Sequence, residues 1–151
     1  DHRELHSFPT RRSSDLGVPP GTTQAIGGGS WLVRDGQVQR DGGETRHPRT
    51  AVGIGKDPRR LFLVVVDGRQ RGYSEGATLH ELGVILKDLG AWDALNLDGG
   101  GSSTLVVAGR NGKPRVLNAP IHTGIPMRER PVANHLGLKA RPDDRKPLSR
   151  A

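Results

Sequence analysis

Residues 78–90, TLHELGVILKDLG, are the stretch whose period differs from the rest of the chain. Leu79, Leu82, Leu86 and Leu89 fall three or four positions apart, which makes a single apolar stripe on a helix. Thr78 and Glu81 stand at the spacing of a capping box, and Gly90 sits where a helix stops. The spacing predicts one helix over 78–89. On either side of it, short apolar runs are separated by turn signals, the pattern of β-structure. Ser30–Arg34, Asp35-Gly36 and Gln37–Gln39 read as a hairpin on a type I′ turn. Thr50–Ile54 and Leu61–Val66 flank a polar turn containing Asp57 and Pro58 and form a second candidate pair. Leu61–Val66 is continuously apolar, which predicts a central strand buried on both faces. After the helix come Ala94–Leu97, a loop over 98–103, and Thr104–Ala108. A hairpin turn at Asn111-Gly112 then leads to Arg115–Leu117, and Val132–Leu138 is a candidate final strand. The expected class is α+β: a mixed, mostly antiparallel twisted sheet with one helix packed on it.

Composition limits what such a sheet can enclose. The 151 residues include 22 Gly and 11 Pro, with only 32% hydrophobic and 3% aromatic, so the core is expected to be small. Trp31 and Trp92 are expected to pack in it. The longest apolar run, Leu61–Val66, is far short of the roughly 20 residues of a membrane helix. With no Cys there is no disulfide framework and no cysteine-based zinc site. The net charge of +7 would suggest nucleic acid as a partner, but its distribution argues otherwise. The last thirteen residues, 139–151, carry +3 and read as a solvated basic tail. No Lys/Arg stripe with interleaved aromatics remains, and no specific nucleic-acid partner is expected.

The first sixteen residues, DHRELHSFPTRRSSDL, have no structural period and resemble an in-frame translation of a sequencing adapter. They are set apart as a leader, which leaves 17–138 as the domain.

The densest chemical signal is Asn96-Leu97-Asp98-Gly99-Gly100-Gly101-Ser102-Ser103-Thr104. Gly99, Gly100 and Gly101 can turn successive N–H groups into one concavity, a nest for phosphate, with Ser102 and Ser103 at its rim. Asp98 beside it suits a base or nucleophile better than an anion ligand. The loop is not a Walker loop, because it lacks Gly-Lys-Ser/Thr and no helix follows. Asp67-Gly68-Arg69 closes the apolar run at 61–66, so Asp67 is the second carboxylate candidate. Arg49 and Arg130 open or precede strands and suit phosphate. His47, His80, His122 and His135 show no metal-ligand spacing and read as surface or core residues. Glu81 is explained by its cap.

Five motifs in order resemble the phosphodiester glycosidase family over about Ala25 to Leu138. They are Arg49–Ile54, Val66-Asp67-Gly68-Arg69, Ser74-x-Gly76-x-Thr78-Leu79-x-Glu81-Leu82, Asn96–Ser103 and Glu129-Arg130-Pro131-Val132-x-Asn134. The resemblance implies a hydrolase that breaks the bond between an anomeric carbon and a phosphate oxygen, as in uncovering mannose 6-phosphate. It implies Asp98 and Asp67 as catalytic candidates, with Arg49, Gly99, Gly100, Gly101, Ser102, Ser103 and Arg130 binding phosphate. The implied partner is a phosphorylated glycan or sugar phosphate. No cofactor is expected, a divalent metal being left open, and a secreted or envelope location is favoured. The family's strand and Asn-Gly-Gly-Phe-type motif, expected upstream of Ala25–Trp31, are not found there. Part of the site is therefore expected to be missing and this chain to be inactive or poorly folded. The alternative is a non-catalytic module that holds phosphorylated glycan in the same loop.

Overall fold

The computed structural model describes residues 20–23, 25–39, 44–109, 111–133 and 135–139. The leader and nearly all of the basic tail lie outside these. The described chain is α+β, with one helix, one five-stranded antiparallel sheet and two small hairpins. In chain order the elements are β1 (Trp31–Arg34), β2 (Gln37–Val38), β3 (Arg49–Gly55), β4 (Leu61–Val66), α1 (Leu79–Leu89), β5 (Ala91–Asn96), β6 (Val106–Ala108), β7 (Pro114–Val116), β8 (Ile121–His122) and β9 (Ile125–Pro126). The main sheet runs β2-β1-β5-β3-β4. The β1–β2 turn has φ of 51° at Asp35 and 71° at Gly36, the two positive values a type I′ turn requires. The β6–β7 hairpin closes where Gly109 N donates to the Lys113 carbonyl (2.8 Å), with Gly112 left-handed at φ 74°.

Helix α1 starts as its sequence dictates. Thr78 caps Glu81 N, the Glu81 carboxylate accepts from Thr78 N at 2.9 Å, and Gly90 ends the helix in the left-handed region. Its buried positions are Leu82, Gly83 and Leu86. A Cβ on Gly83 would come within 2.8 Å of the Leu32 carbonyl, and one on Gly53 within 3.3 Å of Leu86. The helix thus lies directly on the strand backbones. The core it closes is correspondingly small: Leu32, Val33, Ala51, Leu82, Leu86, Ala91 and Ala94, with Phe62, Val64, Val66 and Leu79 against it.

Three expectations are corrected. Strand β4 is an edge strand of the sheet rather than a central one. Phe62, Val64 and Val66 pack on the core, while Leu61 (47%) and Leu63 (37%) are exposed on the opposite face. Val132, Ala133 and His135–Leu138 form no strand, and Asn134 lies outside the described residues. Neither tryptophan belongs to the core. Trp31 is exposed with Arg34 stacked 5.3 Å from its ring, and Trp92 is half-buried between the Gly36 backbone and Lys56.

The capping box also ties α1 to the chain before β3, because Arg46 Nε donates to Glu81 at 3.2 Å. The Arg46 guanidinium, and after it the Thr78 N–H, hold the Glu81 carboxyl at about 2. A carboxyl depressed in the folded state stabilises above its unfolded pKa of about 4.3, and that stabilisation is lost as pH falls toward 2. The stability difference between wild type and Glu81→Gln, followed by urea unfolding, is therefore expected to persist at pH 7 and to vanish between pH 4 and pH 2. Thr78→Ala is expected to cost about 1 kcal/mol at neutral pH, read as a lower midpoint with an unchanged denaturant slope.

Candidate active site

Four separate segments meet where β3 begins. His47 and Ala77 exchange backbone hydrogen bonds, His47 N to Ala77 O at 3.2 Å and Ala77 N to His47 O at 3.0 Å. Pro48 is buried beside them, and its carbonyl accepts from Gly100 N at 2.8 Å. Such close contacts leave no space for side chains. A Cβ on Gly68 would stand 2.6 Å from Pro48 N, one on Gly99 2.8 Å from Pro48 O, and one on Gly76 would overlap the His47 carbonyl. The Ser74-x-Gly76 motif fastens this clip, since Ser74 Oγ donates to Asp67 O (2.7 Å) and accepts from Gly76 N (3.2 Å).

The clip surrounds a pocket of about 530 Å3 lined by Gly29, His47, Arg49, Arg69, Asn96, Leu97, Asp98, Gly99, Gly100 and Arg130. Of the residues singled out in the sequence, Arg49, Arg130, Asp98, Gly99 and Gly100 meet here. Arg49 is steadied by donating to Ala77 O (2.9 Å) and Thr45 O (3.0 Å), which leaves three of its five N–H groups uncommitted. Partial burial, with Arg69 nearby, lowers its pKa, but a guanidinium stays charged at neutral pH. Arg69 adopts a left-handed backbone, φ 56°, and directs Nε (3.4 Å) and Nη2 (3.2 Å) at His47 Nδ1. Burial, then the charges of Arg69 and Arg49, push the His47 pKa down. Both Arg69 nitrogens are donors, so Nδ1 is placed to accept, an arrangement that suits the tautomer with its proton on Nε2.

Two features differ from the sequence expectation. The glycine loop forms a turn of 3-10 helix at Gly100–Ser102, and Gly100, Ser102 and Ser103 donate their N–H groups to backbone carbonyls. Those three amides are already spent. Gly101 is buried against Arg130 and His122, Ser103 is buried with its hydroxyl 3.2 Å from Thr50 Oγ1, and Ser102 Oγ is buried without a partner among the described residues. Asp67 does not line the pocket. Its carboxylate accepts from Ala119 N (2.9 Å), Asn118 Nδ2 (2.8 Å) and Tyr73 Oη (3.1 Å), which fastens the chain after β7. The sequence reading missed Arg69, His47, Asn96 and Gly29 as pocket residues. Arg69 stood inside a motif already singled out. His47 gave no signal, because only the fold brings it against two arginines.

The model of one family, the phosphodiester glycosidases, matches residues 6–139. The chain belongs to the phosphodiester glycosidase family. Membership implies a hydrolase, and the matched span begins within the segment set apart as a leader. The chain resembles the zebrafish N-acetylglucosamine-1-phosphodiester alpha-N-acetylglucosaminidase catalytic domain, auto-inhibited by its pro-peptide. That structure is 31% identical with a TM-score of 0.49, over 63% of this chain and 34% of that one. A putative exported protein of Burkholderia pseudomallei K96243 is 40% identical with a TM-score of 0.46, over 52% of this chain and 14% of that one. The SPbeta prophage-derived uncharacterized protein YomE of Bacillus subtilis strain 168 is 32% identical over 103 residues, 64% of this chain and 16% of that protein. The chain thus spans about a third of the zebrafish domain and about a sixth or less of the other two relatives. No described helix is long and apolar enough to cross a membrane.

The backbone clip makes a direct prediction. Gly76→Ala would drive a methyl group into the His47 carbonyl at a φ of 104° and should destabilise the fold by about 2 kcal/mol or more. Thermal unfolding checks this; an unchanged melting temperature would contradict the close packing.

Proposed function

We propose that the pocket binds the phosphate of a glycosyl phosphodiester and that Asp98 assists cleavage of its anomeric C–O bond. The supporting observation is the convergence of Arg49, Arg69 and Arg130 on one pocket beside a carboxylate. Guanidinium groups bind phosphate oxygens bidentately, and Arg49 has donors to spare. The substrate diester carries one negative charge and the departing monoester develops a second. Cations fixed around it therefore favour the transition state over the ground state. Water is the nucleophile overall: its oxygen joins the anomeric carbon, the phosphate oxygen leaves with the bonding pair, and a proton is released. Asp98 is exposed at the rim, where its carboxylate can support an oxocarbenium-like carbon or take the proton from water.

Within this reading the glycine loop has a different task from a nest. Its bare backbone lets Arg69 approach, since a Cβ on Gly100 would lie 3.1 Å from the Arg69 guanidinium. Asp67 acts as a support for the loop at 118–119, not as a second reacting carboxylate. A secreted or envelope location is proposed with the function, supported by the description of the Burkholderia relative as exported.

Asp98→Asn is the decisive variant. Measured in the full-length parent, sugar release from a glycosyl phosphodiester is expected to fall at least about 100-fold, while affinity for phosphate is retained or rises as a neighbouring negative charge is removed. Turnover at the wild-type rate would overturn the assignment. A full-length parent that binds but never turns over would make the pocket a binding module.

A further inference from the structure

Asn96 ends β5 directly opposite Ala51, on the face that also carries buried Ala94. Its backbone is fully engaged: the N–H donates to Ser30 O (3.0 Å) and the carbonyl accepts from Gly29 N (2.7 Å). The side chain has no such role in the fold. Its Oδ1 is buried and has no hydrogen-bond partner among the described residues. Its Nδ2 faces the bare backbone of Gly29, 3.6 Å from where a Cβ would stand, so the amide forms part of the pocket wall.

A buried acceptor without a donor is destabilising, and one kept in a native fold calls for an explanation such as a functional role, an ordered water or an ion. The guanidinium groups of the pocket are donors suited to phosphate. An amide is neutral, and turning about χ2 exchanges its donor and acceptor edges. We propose that Asn96 is a specificity residue that reads the sugar: the arginines hold the phosphate, and the amide turns its oxygen toward a hydroxyl of the attached ring. This inference rests on the phosphodiester reading of the pocket.

The test uses two probes that share a phosphate and differ in the sugar, methyl phosphate and glucose 1-phosphate, each titrated calorimetrically into the whole chain. Wild type is expected to bind glucose 1-phosphate roughly tenfold more tightly, the value of about one hydrogen bond. Asn96→Leu, similar in shape and without an orphaned polar atom, is expected to erase that preference, keep methyl phosphate affinity within about twofold, and melt no lower than wild type. Should Asn96→Leu fail to fold, Asn96→Ala is read by the same ratio. A variant that keeps the preference overturns the assignment, as does a wild type that binds both probes equally. If wild type binds neither probe, the phosphate pocket itself falls, and this inference with it.

Discussion

The site depends on the packing of one dipeptide, half-buried His47 and buried Pro48, against the backbones of other segments. Gly68, Gly76 and Gly99 approach it too closely for any side chain, and hydrogen bonds from Ala77 and Gly100 close the arrangement. The ends of β4 and β5 and the start of α1 are thereby brought to the start of β3. Three of these segments then project a polar side chain into the same space: Arg49 from β3, Arg69 after β4 and Asp98 after β5. The glycines contribute by what they lack. A small core can hold such a site because backbone-to-backbone contact replaces apolar bulk.

Positive charge is assembled here without close acidic neutralisation. Arg49 and Arg69 meet around His47, and among the described residues the one carboxylate lining the pocket, Asp98, is exposed at its rim. Like charges held together cost free energy until an anion arrives, which is the condition under which a phosphate is bound and its developing charge stabilised. The strained φ at Arg69 fits the same picture, since a non-glycine residue is kept left-handed where its guanidinium is needed. Arg49, tied to two carbonyls, is the fixed member of the set. Among the described residues, the Arg69 guanidinium rests on a histidine nitrogen.

Local chemistry was legible in the sequence; long-range placement was not. The helix, with its capping box and glycine stop, and the Asp35-Gly36 turn are encoded within a few residues and formed where expected. Asp98 and the two arginines were visible because motif and pocket coincide. Strand β4 was misplaced because an apolar run reports which residues resist water, not where in the sheet they sit. Asp67 stands outside the pocket, held by Asn118 and Ala119 some fifty residues away, and no local pattern announces those partners. The glycine triplet on its own suggests a concavity of free amides. Its N–H groups at Gly100, Ser102 and Ser103 are taken by carbonyls, one of them on Pro48 in a distant segment.

The central claim is that guanidinium groups, rather than the glycine loop, hold the phosphate. Arg69 tests it best, because Arg49 also fastens the backbone and its loss would confuse binding with folding. Calorimetric titration of inorganic phosphate into Arg69→Gln is the most direct measurement. The account predicts at least about a tenfold loss of affinity, with a weaker salt dependence than wild type and a retained melting temperature. Unchanged affinity in a folded Arg69→Gln protein would contradict it and return the anion to the loop.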